Sequence, residues 1–311
     1  MYPDVVLWEA LLFLAGGFWA VAWSADRFVD GATSLALRWR ISPFAIGVVI
    51  IGFGTSLPEL SVSTLASGTD HSALSLGNAY GSNIYNIAVI LGLMALIRPL
   101  RVRRTIRAFA VPVLAMSGAV TWFVLLFLEG LPRWAAAGLL ALFVWIVPHL
   151  SALDRPKAVS EMDTAKRGEH PWWTVLMSLA VLLVGSHFVV WGAVDVARTL
   201  GVSELAIGLT LVAAGTSLPE LATSISALKK HQTDMILGNI VGSNLFNGLF
   251  VVGLSGLIRP VENVPHGILI RDLPLMFALT LALAKPRITR ARASVMLATF
   301  ILYLLSFWLF R

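Results

Sequence analysis

The chain has 311 residues, of which 58% are hydrophobic and only 13% charged, and a mean hydropathy of +0.83; soluble domains carry roughly a quarter charged residues, so an ordinary soluble module is excluded in favour of a polytopic membrane protein with one membrane domain. Net charge +6 would suggest nucleic acid in a soluble protein, but no basic module with interleaved aromatics is present, and in a membrane protein excess Lys and Arg is a topology signal. The absence of cysteine excludes disulfides and thiolate metal sites.

Apolar runs fall at 5–24, 42–66, 73–97, 106–128, 134–150, 172–195, 203–228, 235–258, 267–284 and 293–310, each close to the roughly twenty residues that a spanning helix needs. The first lacks a basic leader and a small-residue cleavage pattern and reads as a retained helix. With an external N-terminus, the odd-numbered connections are cytoplasmic. They hold Arg27, Arg38 and Arg40, five arginines from Arg98 to Arg107, then Arg155, Lys157, Lys166, Arg167, Lys229, Lys230, Lys285, Arg287, Arg290 and Arg292. That is 18 of the 23 basic residues, and it places both termini outside. Trp8, Trp134, Trp172, Trp173 and Trp308 lie near run ends, as an interfacial aromatic belt requires. Residues 151–171, with Pro156, Glu161, Asp163, Lys166, Arg167 and Glu169, read as a cytoplasmic linker between two halves, 1–150 and 172–311.

The halves are copies. An offset of 161 carries Gly31 onto Gly192, Glu59 onto Glu220, Asn78 onto Asn239, Ser82 onto Ser243, Asn86 onto Asn247 and Arg98-Pro99 onto Arg259-Pro260, and eleven of nineteen positions agree between 42–60 and 203–221. Five helices is an odd number, so the second copy enters the bilayer inverted. Inverted repeats are the architecture of many secondary transporters, which bind substrate near the midplane where broken helices meet. The Gly/Pro-interrupted segments that mark such a site are Gly54-Thr55-Ser56-Leu57-Pro58-Glu59-Leu60 and its copy Gly215-Thr216-Ser217-Leu218-Pro219-Glu220-Leu221.

A carboxylate at membrane depth costs about 2.5–3.5 kcal/mol on insertion scales and marks a functional site. Pro58 and Pro219 lack an N–H and should loosen the turns before them, freeing carbonyl oxygens. Such a break is tolerated only inside protein or along a hydrated cavity. Thr55 and Glu59 share a helix face, as do Thr216 and Glu220, Ser82 and Asn86, and Ser243 and Asn247. Gly77 and Gly81, with Gly238 and Gly242, permit close packing that would bring the serine and asparagine face against the glutamate helix. Asn78 and Asn239 read as helix glue. Carboxylates, hydroxyls and carbonyls without His or Cys suit a hard cation such as Ca2+ or Na+. Two glutamates supply a charge of −2, which one Ca2+, two Na+ or two protons would neutralise.

At these residues the chain resembles the calcium/cation antiporter superfamily, and specifically its prokaryotic sodium/calcium exchanger branch. The resemblance implies an all-α protein of ten transmembrane helices in two inverted five-helix repeats, in a prokaryotic plasma membrane, with no enzymatic activity, cofactor or obligate protein partner. It implies that Glu59 and Glu220 bind both Ca2+ and Na+, with Thr55, Thr216, Ser56, Ser217, Ser82 and Ser243 and the carbonyls of Gly52 and Ala213, while the first and sixth helices slide across this core. Where many such exchangers carry Asn in the first repeat and Asp in the second, this chain has Asn86 and Asn247, so a third carboxylate is missing and the driving ion is open between Na+ and H+. A proton-coupled exchanger of the same fold and a passive cation channel are the competing readings. His149 and His187 are lesser candidates for proton relays, with a structural role the ordinary one. Asp26, Asp30 and Asp195 read as capping or snorkelling groups near helix ends, and Glu204 as serving a helix start.

Overall fold

A backbone surrounded by lipid must satisfy its polar groups within the segment, and the apolar runs accordingly form helices. The computed structural model describes residues 7–69, 72–152, 170–201, 213–262 and 264–309. In chain order these give α1 (Leu7–Trp39), α2 (Pro43–Thr55), α3 (Leu57–Gly68), α4 (Ala73–Ile97), α5 (Ile106–Phe127), α6 (Arg133–Ala152), α7 (Pro171–Thr199), α8 (Ala213–Thr216), α9 (Leu218–Lys229), α10 (Thr233–Ile258), α11 (Leu273–Ala282) and α12 (Arg290–Leu309). Seven of these are long and apolar enough to cross a membrane alone, and α2 with α3 forms an eighth span bent by 46°. Leu12, Trp19, Phe127 and Leu302 are among the large apolar side chains left exposed, as expected of a surface that faces lipid. The protein is a membrane protein.

The segment from 202 to 212, which contains the start of the expected seventh run with Ser203 and Glu204, lies outside the described residues, as does most of the expected linker, 153–169.

Two helix pairings organise the interior. α1 and α7 run antiparallel in close contact: a Cβ on Gly17 would meet Val189, one on Gly31 would meet Val175, and one on Gly192 would meet Ala10 and Leu14. α2 and α10 run parallel and closer still, because a Cβ on Gly238 would overlap the Phe44 carbonyl and one on Gly242 that of Val48. Small residues are what allow backbones to approach in this way. The expected role of these glycines is therefore corrected in one respect: Gly238 and Gly242 pack against the broken helix of the opposite half. From Met235 to Leu245 every residue of α10 is buried, which puts this helix at the centre.

Short connectors pair across the halves. β1 (Leu100–Arg101) is antiparallel to β4 (Arg287–Ile288), and β2 (Gly130–Leu131) is antiparallel to β3 (Val261–Glu262). Arg103 Nε lies 3.0 Å from Asp234 Oδ2, Arg98 meets His231, and Arg133 Nε donates to the Leu257 carbonyl. Each of these contacts joins connections that the distribution of Lys and Arg assigns to the same side.

One boundary differs from the sequence expectation. α1 does not end near Ser24 but continues to Trp39, so Asp26, Arg27, Asp30 and Arg38 ride on the helix. The extension has an opposite charge to meet: Lys230 Nζ lies 2.8 Å from Asp30 Oδ1 and donates to the Asp26 carbonyl at 2.5 Å.

Candidate ion-binding site

The repeated Gly-Thr-Ser-Leu-Pro-Glu segments build the site at two helix breaks. α2 starts cleanly, with Ser42 accepting from the Ala45 N–H at 3.1 Å and Pro43 in the first turn. It stops at Thr55, because Ser56 turns out of helical geometry (φ −85°, ψ 12°) before α3 begins. Ser217 does the same (φ −91°, ψ 12°) between α8 and α9. The break thus falls at the serine, and Pro58 and Pro219 sit in the first turn of the following helix, where a missing N–H leaves no bond unmade. Glu59 and Glu220 stand in those first turns, where the positive end of the helix dipole favours a negative charge.

A serine at such a break would ordinarily cap its own helix. Neither does so. Ser56 Oγ instead donates to Glu220 Oε1 at 2.9 Å, and Ser217 Oγ to Glu59 Oε1 at 3.0 Å. Each half therefore holds the carboxylate of the other. Both glutamates and both serines are fully buried. Glu59 Oε2 and Glu220 Oε2 are buried without a hydrogen-bond partner.

Further oxygens surround this exchange. Ser82 approaches the Glu59 carboxylate, and Thr55 and Ser243 approach that of Glu220. Ser243 Oγ also donates to the Gly52 carbonyl at 3.0 Å, and Thr55 Oγ1 to the Ile51 carbonyl at 2.9 Å. Gly52 is needed there: a Cβ would stand 2.8 Å from the Ser243 nitrogen and 3.0 Å from the Asn239 carbonyl. Thr216 ends α8 next to Ser217, and Ala213 opens it. Asn78 Nδ2 donates to the Glu59 carbonyl and to Ser63, while Asn239 Nδ2 donates to the Glu220 carbonyl, Thr223 and Ser224. These two amides fasten each glutamate's backbone to the companion helix, as expected of helix glue.

With this geometry in view, comparison with known proteins is decisive. The sodium/calcium exchanger protein family model matches residues 9–150 and 170–309. The chain belongs to the sodium/calcium exchanger family. Inner membrane protein YrbG of Escherichia coli (strain K12) is 37% identical, over 84% of this chain and 83% of that protein. Sodium/calcium exchanger MaX1 of Methanosarcina acetivorans is 29% identical, over 90% of this chain and 89% of its own length. A solved structure of the sodium-calcium exchanger NCX_Mj, soaked with Na+ and Sr2+, superposes with a TM-score of 0.85 and 28% identity, covering 97% of this chain and 99% of that one.

In this exchanger-family protein the remaining candidates divide. Asn86 and Asn247 are fully buried and lie in single π-helical turns, Asn86–Leu91 and Phe246–Val251, a local widening that recurs at functional sites. The Asn86 turn packs on α9, and the Asn247 turn on α3. Two residues that sequence reasoning passed over hold these turns together. Asn83 Nδ2 donates to the Asn244 carbonyl at 3.1 Å, and Asn244 Nδ2 donates to the Asn83 carbonyl at 3.3 Å. Their signal was available, since 83 and 244 are also 161 apart, but a repeat marks equivalent positions without showing that they touch.

The lesser candidates stand apart. His149 Nδ1 lies 2.6 Å from the Trp145 carbonyl one turn earlier. His187 is exposed beside Phe188 and Trp191. Asp195 is buried with Oδ1 3.7 Å from Arg198, and Asp30 belongs to the Lys230 contact. Among the described residues no group of three or more His, Cys, Asp or Glu is placed to hold a metal ion, and the two carboxylates at this candidate site are those of Glu59 and Glu220.

Proposed function

We propose that the protein is a secondary antiporter that exchanges Ca2+ for Na+ by alternating access, both ions using the site at Glu59 and Glu220. The observation that carries this reading is the exchanged pair of serine–glutamate hydrogen bonds: two buried carboxylates, each with one oxygen fixed by the opposite half and the other unpartnered. A dehydrated hard cation is the ligand such oxygens suit, and −2 matches one Ca2+ or two Na+. Thr55, Thr216, Ser56, Ser217, Ser82, Ser243, Asn86, Asn247 and the carbonyls of Gly52 and Ala213 complete the ligand set.

In this reading the chain is ten helices in two inverted repeats, 1–150 and 172–311, joined by a cytoplasmic linker, with both termini outside a prokaryotic plasma membrane. The antiparallel α1–α7 pair, the parallel α2–α10 pair and the same-side pairing of connectors support it. So does the division of the family match into two segments.

Uptake of Ca2+ into liposomes under an outward Na+ gradient is the test, and absence of any response to Na+ would sink the proposal. The pair of neutral side chains at Asn86 and Asn247 favours one second reading, a proton-coupled exchanger, which predicts uptake under a pH gradient alone. A passive channel predicts flux that continues with no counter-ion.

A further inference from the structure

Three of the four asparagines near the site form a one-way relay that ends on only one of the two ligand positions. A main-chain carbonyl can only accept, so the bond to the Asn83 carbonyl fixes the Asn244 amide with its NH2 toward Asn83 and Oδ1 on the other side. Asn244 Oδ1, now an acceptor, takes a hydrogen bond from Asn86 Nδ2 at 3.1 Å. That fixes the Asn86 amide in turn, leaving its Oδ1 buried and unpartnered. Network logic of this kind is what settles which way an amide points. The equivalent chain in the other half is not made. Asn83 Nδ2 is likewise fixed by the Asn244 carbonyl, but Asn83 Oδ1 has no partner, and neither Nδ2 nor Oδ1 of Asn247 has one.

We infer that Asn244 is a positioning residue that locks the Asn86 amide with its oxygen toward the ions, so that Asn86 is a fixed neutral ligand and Asn247 an adaptable one. This rests on the ion-site reading above and goes beyond it. Two asparagines that the repeat makes equivalent differ in what they offer: Asn86 presents only a carbonyl oxygen, whereas Asn247 can rotate to present oxygen when a cation is bound and nitrogen when it is not. Groups that orient a metal ligand from behind commonly change affinity by about 10- to 100-fold when removed.

The test compares Asn244→Leu with Asn83→Leu, since the second variant loses a buried amide at the equivalent position yet keeps the main-chain carbonyl that orients Asn244. Na+-driven Ca2+ uptake by reconstituted full-length protein should show half-saturating Ca2+ raised about tenfold for Asn244→Leu and less than about threefold for Asn83→Leu. The second arm is Asn86→Asp. With Asn244 present, an aspartate oxygen faces Asn244 Oδ1, acceptor against acceptor, and exchange should fall. In Asn86→Asp/Asn244→Leu that opposition is gone, and exchange should return to at least the level of Asn244→Leu, which also shows that the variants fold. Equal effects of the two leucine variants, or an Asn86→Asp protein as active as the double variant, would overturn the inference. If the unmodified protein gives no Na+-driven uptake, the antiport reading fails by itself. The same variants are then ranked by Ca2+ and Na+ titration of detergent-solubilised protein, where the same order is required.

Discussion

The two faces of the repeated motif meet very different surroundings. Toward the centre, α2 and α10 touch backbone to backbone: Gly238 and Gly242 admit no Cβ because the Phe44 and Val48 carbonyls occupy that space, and serine–glutamate bonds cross between the halves. Toward α1 and α7, the motif's own glycines meet only side-chain atoms, Gly54 those of Leu179 and Phe28, and Gly215 those of Val190. Backbone contacts cannot yield without moving whole helices, whereas the ends of flexible side chains such as Leu179 can change rotamer; Val190, whose Cγ2 would lie 2.2 Å from a Cβ on Gly215, is β-branched and stiffer. In the first copy the segment therefore points its glutamate into a rigid clasp and Gly54 at a compliant surface, the arrangement needed if a helix pair is to move over a fixed ion site.

The largest expected effect lies at the rigid face. Glu59→Gln and Glu220→Gln each keep the size of the side chain and remove half of the site's negative charge. Each should reduce Na+-driven Ca2+ uptake by at least about 100-fold, near 2.7 kcal/mol of lost stabilisation, with normal insertion in the membrane. Because each carboxylate is held by the serine of the other half, the two variants should be equally inactive. Wild-type exchange in either one removes it from the site.

A pair of glycine variants separates the two faces directly. Gly242→Ala forces a methyl group into the Val48 backbone, an overpacking that typically costs about 1–3 kcal/mol, and should lower the thermal midpoint of solubilised protein. Gly54→Ala places its methyl 3.1 Å from Leu179 and 3.3 Å from Phe28. It should cost less than about 1 kcal/mol, since flexible side chains can give way, yet slow exchange several-fold if α1 and α7 move over this surface as the alternating-access reading requires. The opposite order, with Gly54→Ala the less stable protein, would break the comparison.

These contrasts also show what the sequence could and could not tell. The glutamates, their serines and Asn86 with Asn247 were legible because identical letters recur at one offset, and an ionisable group in an apolar run has few structural uses. The family, and with it the helical membrane fold, was legible from the same residues. The length of α1 was not, since what carries it past Ser24 to Trp39 includes Lys230, some two hundred residues away. The loosened turn before Pro58 is legible from the proline, and the structure puts its non-helical residue at Ser56, with Pro58 accommodated in the first turn of the next helix. The Asn83–Asn244 clasp and the packing of Gly238 and Gly242 against the opposite half are contacts between copies, which a one-dimensional repeat cannot show.

At the ligand turns, Asn247→Asp sharpens the contrast between the halves. Asn247 has no hydrogen-bond partner to antagonise, so a carboxylate there should be accepted where one at position 86 is opposed. The expected result is exchange that persists with half-saturating Ca2+ shifted by about tenfold and a pH dependence different from that of the unmodified protein. An unchanged Ca2+ and pH response would place residue 247 outside the ion path.

The smallest effect is expected where α1 is tied to the end of α9. Lys230 lies against Asp30 and the Asp26 carbonyl, and Thr33 Oγ1 donates to Gln232 Oε1 at 3.2 Å. The repeat does not copy this tie: the positions equivalent to Asp30 and Lys230 are Trp191 and Thr69, and Thr69 Oγ1 bonds within its own helix to Leu65 and Ala66. In the alternating-access reading, an ion pair that has no counterpart at the equivalent positions, where Trp191 and Thr69 carry no charge, should favour one of the two conformations. Asp30 is about half exposed, so the pair is worth no more than about 1 kcal/mol and weakens in salt. Lys230→Met should therefore change half-saturating Ca2+ by roughly two- to fivefold, and in opposite directions on the two faces of oriented vesicles, because a shift in population raises apparent affinity on one side as it lowers it on the other. The difference should shrink at high ionic strength, as Asp30→Asn should also show. A shift of the same sign on both faces would mean that Lys230 acts on the ion site itself, and the division between a rigid clasp and a compliant, asymmetrically tethered helix pair would have to be redrawn.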